Sequence, residues 1–369
     1  MAVLTSATTT PRIDEVLERI SQEDVRLVLY FFSVEYKGAD LHKQVKKRFP
    51  EAICLGASMI GGWGPEGPME KGFTAMSLSG DEVESVHVSF REGVKDDPRG
   101  TAKEIVADLL RQMPAEGVNP ADYVGIVLFD GLSLGELLMQ EFSTAANFSL
   151  PLVGGAAADE LAFNETLVTC DSHMSGDGAV VAVMKMKVPF FYDHFVHYKP
   201  TGKEFLITRA DPAKRVVWEI NNIPAAEYYA RLLNLSGPES IEHIHFSKNP
   251  LGVVIGETVY TRSPNAVIDG KGLQFYCFIE AGTKVQLLNQ GDILESARDA
   301  LKKVQSYVHP IQGAILFNCV LRYLEMKEDG KLQGFHQVFS SFPYIGFNTY
   351  GEELFTHHNQ TLTALFIGR

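Results

Sequence analysis

The sequence predicts an α/β protein with two related halves, built from repeated β-α-β-turn-β units whose mixed, twisted sheets are flanked by helices. Three observations support this fold class. Short apolar runs rich in β-branched and aromatic residues alternate with segments of helical periodicity. The same order of elements occurs three times, with a glycine after the same strand each time. At 369 residues and 45% hydrophobic content, the chain is long enough for about two domains.

In the first unit, a buried strand is followed by an amphipathic helix. The run "VRLVLYFF" is apolar and β-rich, and the next segment carries Leu41, Val45 and Phe49 at steps of four, which is typical of one helix face. A strand then enters a glycine turn, and two further strands form an antiparallel pair. These segments are 25–32, 38–49, 52–64, 72–80 and 83–90.

The second and third units repeat this order. "DYVGIVLFDG", "SLGELLMQEFSTAA" and "LPLVGGAAADE" predict a strand, a helix and a strand that enters a turn of small residues, before two paired strands. Near the C-terminus, "QGAILFNCVLRYL" predicts a strand and the start of a helix. "FPYIGFNTYGEE" then predicts a strand and a turn, and "QTLTALFIG" a last strand. We therefore expect one repeated unit along the chain.

Glycine follows the apolar residues of these strands at Gly56, Gly154 and Gly346, so we expect three equivalent turns. Residues without a side chain let the backbone bend sharply or let another group come close. The group beside Gly154 and Gly155 is either a ligand or another part of the protein, and the sequence leaves both interpretations open. Gly154, Gly155 and Gly346 are therefore candidate ligand-binding residues.

The middle of the chain has a different pattern. Strand-like runs follow residue 188, and Pro224 suits the first turn of a helix that runs to about Leu233. Further strands and a helix precede the third unit. We place a domain boundary between residues 188 and 202. The resulting N-terminal extension, first domain and second domain are 1–22, 23–195 and 196–369.

The charge balance argues against a protein that binds nucleic acids or an anionic membrane. The net charge is −13, so there is no basic excess to drive counterion release. The start "MAVLTSATTTPRIDEVLERI" lacks the apolar stretch of a signal peptide, and no run approaches the ~20 apolar residues of a membrane span. Four scattered cysteines without a C-x-x-C pair are typical of buried free thiols. We expect a cytoplasmic protein without membrane insertion.

Signatures of common enzymes are absent from the sequence, which has no G-x-S-x-G elbow, P-loop, H-E-x-x-H motif or Rossmann fingerprint. Histidine pairs are the remaining metal-ligand candidates. His243 and His245 would point to one face of a strand, and His357 and His358 to opposite faces. None of the pairs has zinc-site spacing, and a partly exposed strand pair is the simpler interpretation of His243 and His245.

Polar residues in the apolar C-terminal unit are the stronger binding-site candidates. "FNCVLRYLE" places three of them where a strand passes into a helix, and ligands of α/β proteins often bind outside the carboxyl ends of strands. Arg322 either binds a carboxylate of a ligand or pairs with Glu352 or Glu325 to hold the fold. The candidate ligand-binding residues here are Asn318, Cys319, Arg322, Glu352 and Asn359.

At these motifs the sequence resembles the FIST family of sensory proteins, named for F-box and intracellular signal transduction. "RLVLYFFSVEY", "FPEAICLGASMIGG" and "LPLVGGAAADE" resemble the N-terminal FIST domain. "AAEYYARLL", "GLQFYCFIEAGTKVQLL", "FNCVLRYLE" and "IGFNTYGEE" resemble the C-terminal one. The resemblance implies a non-enzymatic sensor that binds a small ligand and passes the signal to a histidine kinase or a cyclic-dinucleotide signalling protein. A homo-oligomer is left open.

The C-terminal motifs "CVLRYLE" and "GFNTYGEELFTHHNQT" are similar to a branch of the family that senses nitric oxide through haem. This resemblance implies haem as cofactor, with His357 or His358 as first candidates for its ligand and His243 or His245 as second. Two alternatives remain open. One is a sensor of an amino-acid-like molecule without haem, and the other is a hydrolase with Cys319 or Ser133 as nucleophile.

Overall fold

The computed structural model describes residues 3–114 and 118–369. They form two compact units. Unit 1 comprises the described residues of Met1–Phe195, Ala297–His357 and Leu362–Arg369, and unit 2 comprises Val196–Ser296 and His358–Thr361. Most of unit 2 is therefore one long insertion in the chain of unit 1.

Unit 1 contains three copies of one order of elements. The first copy consists of β1 (Leu4–Thr8), α1 (Ile13–Arg19), β2 (Val25–Phe32), α2 (Leu41–Arg48), β3 (Ile53–Ser58), β4 (Gly62–Gly64), β5 (Gly67–Met69) and β6 (Phe73–Ser79). The second copy consists of β7 (Val83–Glu92), α3 (Pro98–Gln112), β8 (Tyr123–Phe129), α4 (Gly135–Thr144), β9 (Leu152–Ala156), β10 (Val168–Cys170), β11 (His173–Ser175) and β12 (Gly178–Met186).

The third copy begins with β13 (Phe190–Phe195) and is then interrupted by unit 2. Unit 2 consists of β14 (Tyr198–Asp211), β15 (Val216–Ile220), β16 (Ile223–Pro224), α5 (Ala225–Leu232), α6 (His243–Lys248), β17 (Leu251–Ile255), β18 (Thr258–Arg262), β19 (Pro264–Ile268), β20 (Gly272–Phe275) and β21 (Lys284–Gln290). The third copy resumes with α7 (Ile293–Tyr307), β22 (Ile311–Cys319), α8 (Val320–Glu328), α9 (Leu332–Phe339), β23 (Tyr344–Thr349), β24 (Glu352–Leu354), β25 (Thr356–His358) and β26 (Leu362–Gly368).

Each copy builds most of one six-stranded sheet, and the three sheets of unit 1 have the same strand order. The pairs β2–β3, β8–β9 and β22–β23 are parallel, and the strands that flank them are antiparallel. The orders are β1-β6-β2-β3-β10-β11, β7-β12-β8-β9-β24-β25 and β13-β26-β22-β23-β4-β5.

Each copy also lends its short hairpin to the sheet of another copy. The hairpin β4–β5 of the first copy pairs with β23 of the third, β10–β11 of the second pairs with β3 of the first, and β24–β25 of the third pairs with β9 of the second. The exchange is a closed cycle. Each of the three sheets therefore has one edge of its parallel pair covered by a different copy.

The three glycines singled out by the sequence occupy equivalent positions inside β3, β9 and β23, rather than in the turns that we predicted. In the parallel registers, the residues opposite Gly56, Gly154 and Gly346 are Tyr30, Val127 and Leu316. A Cβ atom on Gly154 would lie 1.8 Å from the carbonyl oxygen of Val127, and one on Gly346 would lie 2.6 Å from that of Leu316. Close approach of the neighbouring backbone requires Gly154 and Gly346, whereas a Cβ atom on Gly56 would meet the side chains of Tyr30 and Thr169.

The central strands β2, β8 and β22 of unit 1 are buried on both faces over most of their length. Phe31 of β2 points into a core shared by all three copies, whereas Tyr30 and Phe32 pack with apolar residues of α1 and α2, because side chains alternate along a strand. The rings of Phe31 and Phe347, from the first and third copies, lie 4.3 Å apart between centroids. Burial on both faces explains the nearly continuous apolar runs of the sequence.

Unit 2 is an antiparallel sheet with α5 and α6 packed against it. The strand order is β18-β17-β21-β14-β15-β20-β19, and β16 pairs with β15. Tyr229 of α5 and Phe246 of α6 are buried in its core with ring centroids 5.5 Å apart. The hydroxyl of Tyr229 lies 2.9 Å from the carbonyl oxygens of both His245 and Asn249, which ties α5 to α6.

The mixed α/β class, with sheets flanked by helices, is confirmed. The repeated unit takes a different form from the two related halves that we expected. Its three copies lie in unit 1, whereas unit 2 is inserted between β13 and α7 and has a different strand order. His243 and His245 lie in α6 and not in a strand, so residues two apart point in different directions.

We expect Gly154→Ala to lower the free energy of unfolding by roughly 1–3 kcal/mol, because the new methyl group would overlap the backbone of Val127 and force two parallel strands apart. Gly38→Ala is the matched control, since nothing lies within 4 Å of its Cβ position. Denaturant unfolding of both variants measures the difference. Equal stability of the two variants would contradict the close-approach explanation.

Candidate functional site

The carboxyl ends of β22 and β23 carry two asparagines at the same level of the sheet. The parallel register aligns Phe317 with Phe347 and Asn318 with Asn348. Both asparagines are fully buried. Because buried amides almost always find hydrogen-bond partners, a polar network is expected at this end of the sheet.

The side chain of Asn348 is the centre of that network. Its Oδ1 accepts hydrogen bonds from Nδ2 of Asn318 at 2.9 Å and from Nε1 of Trp63 at 3.2 Å. Its Nδ2 donates to the carbonyl oxygen of Ile60 at 3.0 Å. Trp63 and Ile60 belong to the first copy, so the network joins the lent hairpin β4–β5 to the third copy.

Arg322 of α8 joins the same network from the helix side. Its Nε donates to Oδ1 of Asn318 at 3.0 Å, and the residue is only 1% exposed. Asn318 also donates from Nδ2 to the carbonyl oxygen of Cys319 at 3.3 Å. The buried guanidinium thus helps to hold α8 to the end of β22, which favours the fold-holding interpretation of Arg322 over ligand binding.

The turn after β23 is polar and buried. Oγ1 of Thr349 donates to Oε1 of Glu352 at 2.7 Å. Oε1 of Glu353 lies 2.6 Å from Nδ1 of His357. The ring of His357 covers Gly351 so closely that a Cβ atom there would lie 2.0 Å from Cε1 of the imidazole. Glu352 and His357 are therefore both in contact with residues of the third copy itself.

Glu353 faces Gly154 across the pairing of β24 with β9. Burial raises the pKa of Glu353 to about 8. The contact with His357 lowers this pKa, whereas the charges of Glu136 and Glu352 raise it further. Its Oε2 has no hydrogen-bond partner among the described residues. Burial therefore disfavours the charged form of this carboxyl group, whereas the nearby imidazole of His357 favours it.

The small-residue segment "GGAAADE" leads into a loop that folds around its own carboxylate. Asp159 accepts hydrogen bonds from the backbone N–H groups of Phe163, Asn164 and Glu165, at 3.0, 2.8 and 3.2 Å, and from the hydroxyl of Tyr350. Burial acts to raise the pKa of Asp159, but the hydrogen bonds from Tyr350 and the backbone outweigh it and hold that pKa below its usual range.

Packing inside the protein explains why glycine occupies positions 154, 155 and 346. A Cβ atom on Gly155 would lie 2.6 Å from Cγ2 of Thr349, and Gly154 and Gly346 each adjoin the backbone of a neighbouring strand. Their lack of side chains therefore needs no ligand, and ligand contact at these positions stays a prediction.

Asn359 and His358 lie in the segment 358–361, which belongs to unit 2, and both are buried. The ring of His358 stacks on Tyr260 with centroids 5.5 Å apart. Nε2 of the neighbouring Gln360 donates to the hydroxyl of Tyr198 at 2.7 Å. These contacts hold the segment within unit 2.

Unit 2 also has an open groove of about 610 Å³. Its walls come from α6, from the short 3₁₀ turn Pro238–Ser240 and from β19. Phe246 and Val267 are apolar, whereas Glu239, His243 and Asn265 add polar groups. Oδ1 of Asn265 is buried and has no hydrogen-bond partner in the part of the chain that the structure describes.

The hydroxyl of the candidate nucleophile Ser133 donates to a backbone carbonyl group rather than to a base. Oγ of Ser133 donates to the carbonyl oxygen of Asp130 at 2.6 Å, and Cys319 is buried at the end of β22. A nucleophile of this kind requires a base within hydrogen-bond reach. Within residues 3–114 and 118–369, no group of three or more His, Cys, Asp or Glu side chains is arranged to hold a metal ion.

Sequence reasoning missed Trp63, Asn348, Glu353 and Asn265. One signal was available, because "LFNC" and "GFNT" both carry Phe-Asn at the end of a predicted strand, and the parallel register aligns these dipeptides. No pattern marks Asn265, since its importance depends on a groove that forms only on folding.

We expect Arg322→Ala to lower the free energy of unfolding by about 1.5–3 kcal/mol, because it removes a buried, charged donor and leaves Oδ1 of Asn318 without that hydrogen bond. Arg111→Ala is the control, since the Arg111 side chain is 67% exposed and should contribute within about 0.5 kcal/mol. Denaturant titration compares the two variants. If Arg322→Ala is as stable as Arg111→Ala, Arg322 is better explained as a ligand-binding residue.

Two models of known protein families together match most of the sequence. A model of the FIST N domain matches residues 26–223, and a model of the FIST C domain matches residues 225–354. An uncharacterized protein of Methanocaldococcus jannaschii is 24% identical over 325 residues, which cover 81% of this chain. This chain spans 60% of the length of that relative.

Among the described residues, no helix is both long and apolar enough to cross a bilayer. The FIST N domain alone accounts for more than half of the chain, and the FIST C domain follows it directly. The chain therefore belongs to the FIST family, whose domains are sensory domains of signal-transduction proteins.

Proposed function

We propose that the chain is a non-enzymatic sensor that binds a small ligand and relays the signal to a partner protein. Membership of the FIST family supports a sensory role. The observation that carries ligand binding is the groove of unit 2, where the buried Oδ1 of Asn265 has no hydrogen-bond partner among the described residues. A buried acceptor without a donor costs free energy that a bound ligand would recover.

The chemistry of the groove favours a small amine, including the ammonium end of an amino-acid-like molecule. Such a group donates hydrogen bonds, which Asn265 accepts, and its positive charge is attracted by the carboxylate of Glu239. None of the nine residues that line the groove, all of them described, is a lysine or an arginine. Phe246 and Val267 would contact the hydrocarbon part of the ligand.

Isothermal titration with a panel of primary amines and free amino acids tests this assignment. We expect at least one of them to bind the full chain and Asn265→Leu to weaken that binding about tenfold, because the acceptor is lost. The unliganded Asn265→Leu protein should be at least as stable as the wild type, because an unsatisfied buried group is removed.

Asn289→Leu is the matched control, because Asn289 is an exposed asparagine of unit 2 outside the groove. Binding of the same amine by wild type and Asn265→Leu with equal affinity would refute the role of Asn265. A panel without any binder would refute the amine assignment.

Haem is a second candidate for the same groove. His243 is exposed and lines it beside apolar residues, which suits an axial ligand better than the buried His357 or His358. His245 is less suitable, because its Nδ1 accepts a hydrogen bond from the backbone N–H of Glu242 at 2.9 Å. Bound haem would supply an iron centre for nitric oxide. Glu239 disfavours the anionic propionates, so we rank the amine first.

Absorption spectra of protein from haem-supplemented cells test the haem proposal. We expect haem binding to produce a Soret band that His243→Ala abolishes and that His173→Ala, at an exposed histidine of unit 1, leaves unchanged. Loss of the band in His357→Ala alone would move the ligand to the turn after β23. Wild-type protein without a Soret band would exclude haem sensing.

The partner that we propose is a histidine kinase or a cyclic-dinucleotide signalling protein. This part rests on the resemblance to haem-binding FIST sensors, and FIST membership supports a signalling partner only in general.

A further inference from the structure

A second cavity lies in unit 1, beneath Phe355, and has a volume of about 160 Å³. Seven of its eight lining residues belong to the second copy, in the C-terminal half of α4 and in the segment that leads to the start of β9. The eighth is Phe355, which joins β24 to β25 in the hairpin lent by the third copy. The cavity therefore forms where the lent hairpin meets the copy that receives it.

The inside of the cavity is apolar and its rim carries hydroxyl groups. Met139, Phe142 and Phe148 are buried side chains of its wall. Ser143 and Ser149 are exposed at the rim. Oγ of Ser143 donates to the carbonyl oxygen of Gln140 at 3.0 Å, so its oxygen can still accept a hydrogen bond. This arrangement suits an apolar molecule with one polar substituent directed outwards.

The volume limits the size of such a molecule. In another protein, an engineered apolar cavity of about 150 Å³ stays free of water and binds benzene. The cavity beneath Phe355 has a similar volume, and three of its eight lining residues are phenylalanines. Its ligand should therefore be about the size of one aromatic ring.

The backbone of Phe355 supplies an independent observation. Its φ is +57°, in the left-handed region that bulky residues rarely adopt and that glycine or asparagine adopts at lower cost. The hydrogen bond between Glu353 and His357 closes the hairpin around it. The ring makes an edge contact with Tyr192 at 6.0 Å between centroids, yet the residue is 52% exposed. Burial in the protein alone does not account for a phenylalanine here, and strained residues cluster at ligand sites.

We propose that the cavity beneath Phe355 binds a small apolar molecule of single-ring size with one hydrogen-bonding substituent, and that the ring of Phe355 covers it. The hydrocarbon part packs against Met139, Phe142 and Phe148, and the substituent donates to a serine hydroxyl at the rim. This site shares no lining residue with the groove of unit 2, so the two assignments stand or fall separately.

Phenol and benzene are the probes, titrated into the full chain with ¹³C-labelled methyl groups and followed by NMR. We expect saturable ring-current shifts confined to the methyl groups around the cavity, namely those of Met139, Leu150 and Leu152. Phe355→Ala should weaken phenol binding about tenfold or more, because the covering ring is lost. Ser143→Ala should weaken binding of phenol but not of benzene, which has no polar substituent.

Phe163→Ala is the matched control. Phe163 is also half exposed, at 56%, also has a positive φ, and stacks on Tyr350 instead of lining the cavity. We expect it to bind phenol within about twofold of the wild type. If Phe355→Ala fails to fold, Phe355→Leu keeps an apolar side chain at the position and should still weaken binding.

Three results would overturn the proposal. The first is the absence of saturable methyl shifts with either probe. The second is equal phenol affinity in the wild type and a folded Phe355 variant. The third is a concentration-dependent dimer that buries Phe355 against a second copy of the chain and blocks the cavity, since a protein contact would then explain the exposed ring.

Discussion

Backbone pairing between copies is the constraint on which the rest of unit 1 depends. Each sheet gains two of its strands from the hairpin of a different copy, and the three exchanges close a cycle. The ladder also sets one hairpin residue opposite each strand glycine. The pairs are Gly346 with Trp63, Gly56 with Thr169 and Gly154 with Glu353. Each of these glycines has the parallel strand on one side and the hairpin of another copy on the other side. The three elements must therefore be compatible with one another.

The three equivalent hairpin residues are buried, and each has a different polar group that needs a hydrogen-bond partner. The indole of Trp63 donates to Asn348, the hydroxyl of Thr169 donates to Tyr30 at 2.7 Å, and the carboxyl of Glu353 bonds to His357. Each side chain has at least one hydrogen-bond partner in its own surroundings, although Oε2 of Glu353 has none among the described residues. We infer that this difference helps each hairpin to pair with one sheet and not with the other two, since a misplaced hairpin would bury an unsatisfied polar group.

Two of the charged groups that the sequence analysis singled out or that follow its small-residue segment are held inside unit 1. The guanidinium of Arg322 and the carboxylate of Asp159 are both held by contacts inside unit 1. Two positions differ from them. Asn265 in unit 2 has a buried acceptor without an assigned donor, and Phe355 in unit 1 combines an unfavourable backbone conformation with an exposed ring. The two proposed ligand sites contain these positions, one in each unit.

The sequence by itself determined the types of most elements of unit 1 and the existence of a repeat. These features follow from local periodicity, such as the buried positions Leu41 and Val45 on one face of α2 and the glycines of β3, β9 and β23. Only the tertiary structure decided which sheet each hairpin joins, that Arg322 lies inside, and that His243 belongs to a helix beside a groove. These features depend on partners far apart in the chain. Trp63 and Asn348, for example, are separated by 285 residues, and no local pattern encodes a contact over that distance.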